Sequence, residues 1–167
     1  MTVAKTTSTT APASTSNDAI ALLIKDHRDV KKLFTSYQKL MDEEAPAAQR
    51  LAIAQEICDA LTLHATVEEE IFYPALREAT ADADDELDEA EVEHTSVKEL
   101  VAQIKSMEPD EDLYDAKVKV LGEYVDHHVK EEEGEMFPKA KKSGVDLDGI
   151  GLQIKDRKEE LQTVEAD

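Results

Sequence analysis

Two stretches of the chain follow the same pattern: HATVEEEIFYP, from His64 to Pro74, and HVKEEEGEMFP, from His128 to Pro138. In each stretch a glutamate follows the histidine by four residues and a proline follows it by ten. Residues four apart lie on one face of an α-helix, so this histidine and glutamate can reach the same point in space. Each stretch therefore predicts one half of a metal site on a helix.

The histidines of the chain also follow a tandem repeat. Four of the five occur in the order of a lone histidine and then a His/Glu pair, repeated once: His27, His64 with Glu68, His94, and His128 with Glu132. His64 and His128 are 64 residues apart, and His27 and His94 are 67 apart. We therefore expect two duplicated helical hairpins, each offering one lone histidine and one His/Glu pair.

Apolar residues at steps of three and four predict four amphipathic helices. The first helix is expected from Asp18 to the acidic stretch before Pro46, and the second from Pro46 onward. Pro74 is expected to kink or end the second helix, because proline lacks the N–H group that a helix interior needs. The candidate metal residues all lie on the apolar stripes: His27, His64, Glu68, His94, His128 and Glu132.

Four long helices with short connections predict an all-α protein, an antiparallel up-down-up-down four-helix bundle over residues 18–142. A short extra C-terminal helix, from about Asp148 to Thr163 within residues 143–167, is expected to pack on the bundle through Ile150, Ile154 and Leu161. Residues 1–17 are rich in Thr, Ser and Ala and are expected to form a flexible tail.

Composition argues against several classes of partner. The 167 residues carry a formal net charge of -20, which repels nucleic acid and anionic membranes. No apolar run approaches the length of a membrane span, and the N-terminus lacks the apolar centre of a secretory signal. Cys58 is the single cysteine and cannot form an intrachain disulfide, which favours a reducing compartment. Because it lies in a helical pattern, it is expected to be a buried thiol. The sequence thus predicts a cytoplasmic protein with no nucleic-acid and no membrane partner.

The apolar stripe distinguishes the two adjacent histidines. His128 and Glu132 continue the row of Leu121 and Val125, whereas His127 belongs to a more polar row. We therefore take His128 as the ligand and His127 as a surface residue or one that contacts a ligand.

Burying four imidazoles and two carboxylates without a cation is costly, although mutual hydrogen bonding of histidine and glutamate without metal is a second interpretation. Imidazole suits zinc, copper, iron and nickel, and carboxylate can bridge two ions. Six ligands exceed the three or four that a tetrahedral zinc takes from protein. The pattern favours two ions, each with two histidines, and both glutamates as bridges.

The chain resembles the hemerythrin-like family, also called HHE cation-binding domains, over about residues 18–142. The resemblance rests on four stretches: DHRDVKKLF, HATVEEEIFYP, EVEH and HHVKEEEGEMFP. It implies a four-helix bundle with a carboxylate-bridged non-haem di-iron centre. By the motif, the iron ligands would be His27, His64, His94 and His128, and the bridges would be Glu68 and Glu132.

The chain departs from the pattern of oxygen-carrying hemerythrins, which have a further histidine one turn after the third-helix histidine. Lys98 stands at that place, and Glu132 and Glu133 stand where the carriers have an aspartate. Water, hydroxide, Tyr37 or Glu69 are candidates to complete the coordination. The departure moves the expected function from oxygen carriage towards a reactive or sensing site.

The leading hypothesis is a di-iron protein that binds or responds to oxygen, nitric oxide or peroxide, or holds iron. Two alternatives stay open at this point. One is a di-iron enzyme that acts on peroxide, nitric oxide or ferrous iron. The other is a metal-free or zinc-stabilised acidic helical module that binds other proteins.

Overall fold

The computed structural model describes residues 17–164, and within this range the protein is all-α, with no strand. The principal helices are α1 (Ala19–Asp42), α2 (Ala47–Val67), α3 (Tyr73–Ala79), α4 (Asp84–Lys105), α5 (Tyr114–Glu131), α6 (Phe137–Ser143) and α7 (Leu147–Val164). The predicted all-α bundle is confirmed. α1 packs on α2 and α4 on α5, and the two pairs meet through α2 with α4 and α1 with α5.

The proline in each repeated stretch follows a widened helical turn. π-helical turns span Glu68–Phe72 and Glu132–Met136, and they join α2 to α3 and α5 to α6 without a break. The Tyr73 N–H donates to the Glu68 carbonyl, five residues back, instead of the four of an α-helix. The second helix therefore does not end at Pro74, and the expected irregularity takes the form of a π turn. Such turns are frequent at functional sites, and both of these begin at a candidate glutamate.

Two apolar clusters form the core, and each of the four bundle helices contributes to both when α2 is taken together with α3 and α5 together with α6. The first cluster includes Leu23, Phe72, Leu87 and Phe137, and the second includes Val30, Ile57, Val101 and Leu121. The candidate histidine of each helix lies in sequence between its residues of the two clusters, as His27 does between Leu23 and Val30. The fold thus places a buried polar layer across the middle of the bundle.

The C-terminal helix α7 packs on α1 and α2 at the first cluster. Ile150 and Ile154 are buried there, and Leu161 is half-buried. A Cβ at Gly151 would lie 1.5 Å from the Asn17 carbonyl oxygen, so the absence of a side chain lets the chain entering α1 pass against α7. Lys155 donates to Asn17 Oδ1 at 2.6 Å. The rest of the predicted tail, residues 1–16, lies outside the described residues.

Candidate metal centre

The six residues singled out in the sequence meet in the buried layer. All six are at most 7% exposed: His27, His64, Glu68, His94, His128 and Glu132. The Nε2 atoms of the four histidines form two pairs, His27 with His64 at 3.2 Å and His94 with His128 at 3.1 Å. Each pair joins one lone histidine to one histidine of a His/Glu stretch, so both helical hairpins contribute.

Glu68 and Glu132 lie between the two histidine pairs. Glu68 Oε1 is 3.0 Å from His64 Nε2, and Glu68 Oε2 is 3.3 Å from His94 Nε2. Glu132 Oε2 is 3.2 Å from His27 Nε2 and 3.5 Å from His128 Nε2. Each carboxylate therefore contacts both pairs, which is the placement that a bridging ligand requires.

The outer nitrogen of every candidate histidine bonds to a carboxylate. The Nδ1 contacts are His27 with Glu133 at 2.8 Å, His64 with Asp26 at 3.0 Å, His94 with Glu69 at 2.8 Å and His128 with Glu93 at 2.6 Å. Because an ionised carboxylate only accepts, each Nδ1 carries the proton and donates. This leaves the four Nε2 atoms facing the centre, an arrangement typical of histidines that bind metal.

Unpartnered oxygen atoms test whether a cation fits. Glu68 Oε1 and Glu132 Oε2 are buried and have no hydrogen-bond partner among the described residues, although histidine nitrogens lie 3.0–3.5 Å away. Ligand atoms at about 2.1 Å from one cation are separated by about 3.0–3.4 Å at octahedral or tetrahedral angles. The observed separations and the nitrogen and oxygen donors therefore fit two adjacent cations.

Comparison with known proteins agrees with this geometry. The model of the Hemerythrin HHE cation binding domain family matches residues 18–140. The chain belongs to this family. A crystal structure of an HHE cation binding domain-containing protein, the Rv2633c homolog from Mycobacterium kansasii, superposes with a TM-score of 0.70 over 86% of each chain at 24% identity. That likeness concerns the fold.

One curated relative of this HHE domain carries a different name. A DNA nickase from Nostoc sp. is 34% identical over 112 residues, which are 67% of this chain. The matched region spans only 30% of the nickase.

Tyr73 is a residue of the HHE centre that the sequence analysis did not identify. Its hydroxyl donates to Glu132 Oε1 at 2.6 Å and lies 3.2 Å from His94 Nε2. In the sequence, Tyr73 is the aromatic residue directly before Pro74 at the end of the first stretch. The equivalent residue of the second half is Phe137, which stacks on His27 without offering an oxygen. This difference between otherwise repeated stretches is a signal that the sequence does contain.

Tyr37 and Glu69, the side chains expected to complete the metal coordination, do not face the Nε2 atoms of the centre. The Tyr37 hydroxyl donates to Asp115 at 2.5 Å, and Tyr37 belongs to the second apolar cluster. Glu69 accepts from His94 Nδ1, on the outer side of the ring, and from Lys98 Nζ at 2.5 Å. Both suggestions are therefore wrong. Lys98, which stands in place of the carriers' further histidine, holds the carboxylate that orients His94.

Protons and cations compete for the centre. Burial is the strongest single influence on the pKa of His64 and lowers it, but the contacts with Glu68 and Asp26 together outweigh burial and raise this pKa to about 10. Burial likewise lowers the pKa of His128, but the surrounding carboxylates, Glu132 foremost, together raise it to about 11. Despite burial, the neighbouring His64 holds the pKa of Glu68 well below its ordinary value. Without metal, protons on His64 and His128 therefore supply positive charge beside the two glutamates.

A small apolar cavity adjoins the histidine rings. It has a volume of about 20 Å³ and is lined by the four candidate histidines and by apolar side chains that include Val30, Leu61, Val97 and Val125. A water-sized molecule needs about 10–15 Å³ on this measure. His27 and Val125 also line a surface groove between α1 and α5. The cavity thus has room for a molecule not much larger than water and lies beside this surface groove.

The remaining features fit the sequence analysis. His127 is exposed on α5, with 65% of its side chain accessible. Cys58 is buried, and burial raises the pKa of its thiol to about 11. Between residues 17 and 164, none of the helices has both the length and the apolarity needed to cross a membrane.

Proposed function

We propose that this HHE domain holds two non-haem iron ions and binds or responds to a small molecule such as oxygen, nitric oxide or peroxide. The observation that carries the proposal is the pair of buried carboxylates, Glu68 and Glu132, each with an unpartnered oxygen that lies among the four oriented imidazoles. When bound, the two ions supply redox-active Lewis-acid positions. The domain's own part is to hold the ligands, keep each Nδ1 proton hydrogen-bonded to its outer carboxylate and limit access to the ions.

The two candidate metal positions differ in the kind of protein donor. One position is formed by His27, His64, Glu68 and Glu132. The other is formed by His94, His128 and Glu68, and the Tyr73 hydroxyl lies beside it, 3.2 Å from His94 Nε2. We therefore assign a phenol ligand to the position beside His94 and His128; the position beside His27 and His64 would have none, because Phe137 takes the place of a tyrosine there.

Tyr73 offers a spectroscopic test of this assignment. Burial and both glutamates raise the pKa of Tyr73 well above its ordinary value, so the phenol stays protonated without metal. If Tyr73 held ferric iron, it would do so as a phenolate, with its proton released to solvent, and a phenolate ligand of ferric iron would absorb visible light. We expect Tyr73→Phe to lose this phenolate band while it keeps two ions per chain. An unchanged visible spectrum in Tyr73→Phe would show that Tyr73 is only a hydrogen-bond donor to Glu132.

The cavity limits the class of ligand, and filling it tests the function. Val97 lines the cavity, whereas Val101, one turn along α4 in the same apolar cluster, does not. Val97→Leu adds a methylene about where the cavity lies, and we expect the ferrous protein to lose its spectral response to nitric oxide. Val101→Leu is the matched control, since both substitutions carry a similar overpacking cost of about 1–3 kcal/mol.

Both valine variants are expected to retain two iron ions per chain. If Val97→Leu responds to nitric oxide as the wild type does, the ligand does not bind on the cavity side of the centre. The same variant tests the alternative that the domain is a di-iron enzyme. A substrate that is turned over at this centre would have to enter the same cavity, so Val97→Leu should also lower turnover.

A nucleic-acid partner is not proposed. The nickase relative extends far beyond the matched region, and the net charge of -20 repels DNA. Absence of a nucleic-acid partner and location in the cytoplasm therefore stay predictions from the sequence.

A further inference from the structure

A second group of metal-type ligands lies on the surface, outside the buried centre. It consists of Glu93 on α4 and of His127 and Glu131 on α5, and their candidate ligand atoms all lie within 4.8 Å of one another. His127 Nε2 is 3.1 Å from Glu131 Oε1 and 3.4 Å from Glu93 Oε1. We call this group the surface triad. Since the His127 ring is largely exposed, solvent reaches it directly.

The distances in the surface triad are longer than those of strong hydrogen bonds. Charge-assisted N–H···O bonds are about 2.7–2.9 Å long, whereas nitrogen and oxygen atoms on one cation are about 3.0–3.4 Å apart. His127 and Glu131 are four residues apart on α5, so their side chains share a face of the helix. The geometry matches ligands that converge on a common point.

The internal repeat shows what the Glu93 carboxylate lacks. Asp26 and Glu93 are equivalent: each directly precedes a lone histidine and accepts from Nδ1 of the paired histidine in its own half. Asp26 also accepts from Lys158 of α7, whose ammonium balances its charge. Glu93 presents its second oxygen to His127 instead.

Within the part of the chain that the structure describes, the surface triad thus lacks the ammonium group that Asp26 has in the first half. Between residues 17 and 164, neither Glu93 nor Glu131 forms an ion pair with a lysine or arginine. The positions equivalent to His127 and Glu131 in the first half are Leu63 and Val67, both apolar. The second half thus carries a donor set that the first half lacks, at the place where Lys158 supplies positive charge to the first.

We propose that Glu93, His127 and Glu131 bind one divalent first-row transition cation, with water completing its coordination. One imidazole and two carboxylates are donors that such cations accept. Glu93 then contacts this cation through Oε1 and His128 of the buried centre through Oε2. The surface triad touches the buried centre through Glu93, but its own three donors do not need iron there.

Co²⁺ provides the probe for this site. The full chain, loaded with iron and separately without it, is dialysed against Co²⁺ at physiological ionic strength, and bound cobalt and iron are counted per chain. We expect the wild type to bind one Co²⁺ more than His127→Ala and Glu131→Gln in both preparations. The matched control is Glu123→Gln, an exposed carboxylate of α5 outside the surface triad, which should bind as much Co²⁺ as the wild type.

Equal cobalt counts in the wild type and His127→Ala would overturn the proposal. So would a cobalt loss in Glu123→Gln as large as in Glu131→Gln, because general attraction of cations to the acidic surface would then explain the binding. The difference between variants is read in the iron-free chain as well. Failure of the buried centre to hold iron would therefore leave this result intact, and the two proposals can fail separately.

Discussion

Replacement of Glu68 by glutamine is expected to remove both metal ions from the chain. Glu68 contacts His64 with one oxygen and His94 with the other, so it is shared by both metal positions. At a free metal concentration of about a thousand times Kd, two-state linkage makes each bound ion worth about 4 kcal/mol. For a chain of this size, that corresponds to a fall of roughly 8–16 °C in Tm for each ion lost. Metal analysis and thermal unfolding of the loaded proteins measure both effects.

Glu70 supplies the matched control, two residues along the same Glu-Glu-Glu run. It pairs with Arg157 at the surface, and an exposed ion pair contributes about 0–1 kcal/mol. Glu70→Gln should therefore keep two ions and nearly all of the wild-type Tm. A Glu68→Gln protein that holds as much metal as Glu70→Gln would show that Glu68 does not bridge the ions.

Opposite pH dependences are expected for the metal-free and the metal-loaded protein. His64 and His128 have pKa values raised to about 10 and about 11, so folding stabilises their protonated forms. This stabilisation is complete below the unfolded pKa of about 6.5 and is lost as pH rises through the folded values. The metal-free protein should therefore be less stable at pH 8.5 than at pH 6, by an amount on the order of 1–5 kcal/mol at about 1.4 kcal/mol per pKa unit.

Metal binding reverses the sign, because cations need these nitrogens without a proton. Between pH 6 and pH 8.5 the loaded protein should gain stability relative to the metal-free form. Denaturant unfolding of both forms across this range measures the two slopes. Parallel slopes would mean that the metal does not displace protons from the histidines and so does not bind at them.

The fold could be predicted from the sequence because the apolar periodicity is strong in all four bundle helices. The course of the backbone through Pro74 could not be predicted from the sequence. Proline predicts a disrupted helix, but whether the chain stops or widens into a π turn depends on packing against neighbouring helices. Here Phe72 and Leu76 are fully buried on both sides of the proline, which favours continuation of the helix.

The inner part of the candidate site could also be predicted, because each histidine interrupts an apolar stripe. The carboxylates on the outer nitrogens could not be assigned, since the chain contains 39 acidic residues and each outer pair joins two helices distant in sequence. Tyr73 was overlooked because an aromatic residue before proline is also an ordinary core residue. Comparing the two repeated stretches position by position, tyrosine against phenylalanine, would have identified it.

The iron content of the wild-type chain tests the central claim most directly. After anaerobic reconstitution with ferrous iron and removal of unbound metal, two iron ions per chain are expected, together with a Tm that falls when a chelator removes them. A folded chain that retains less than one ion, and whose Tm does not respond to the chelator, would contradict the claim. The buried histidines and glutamates would then form a hydrogen-bonded, protonated layer.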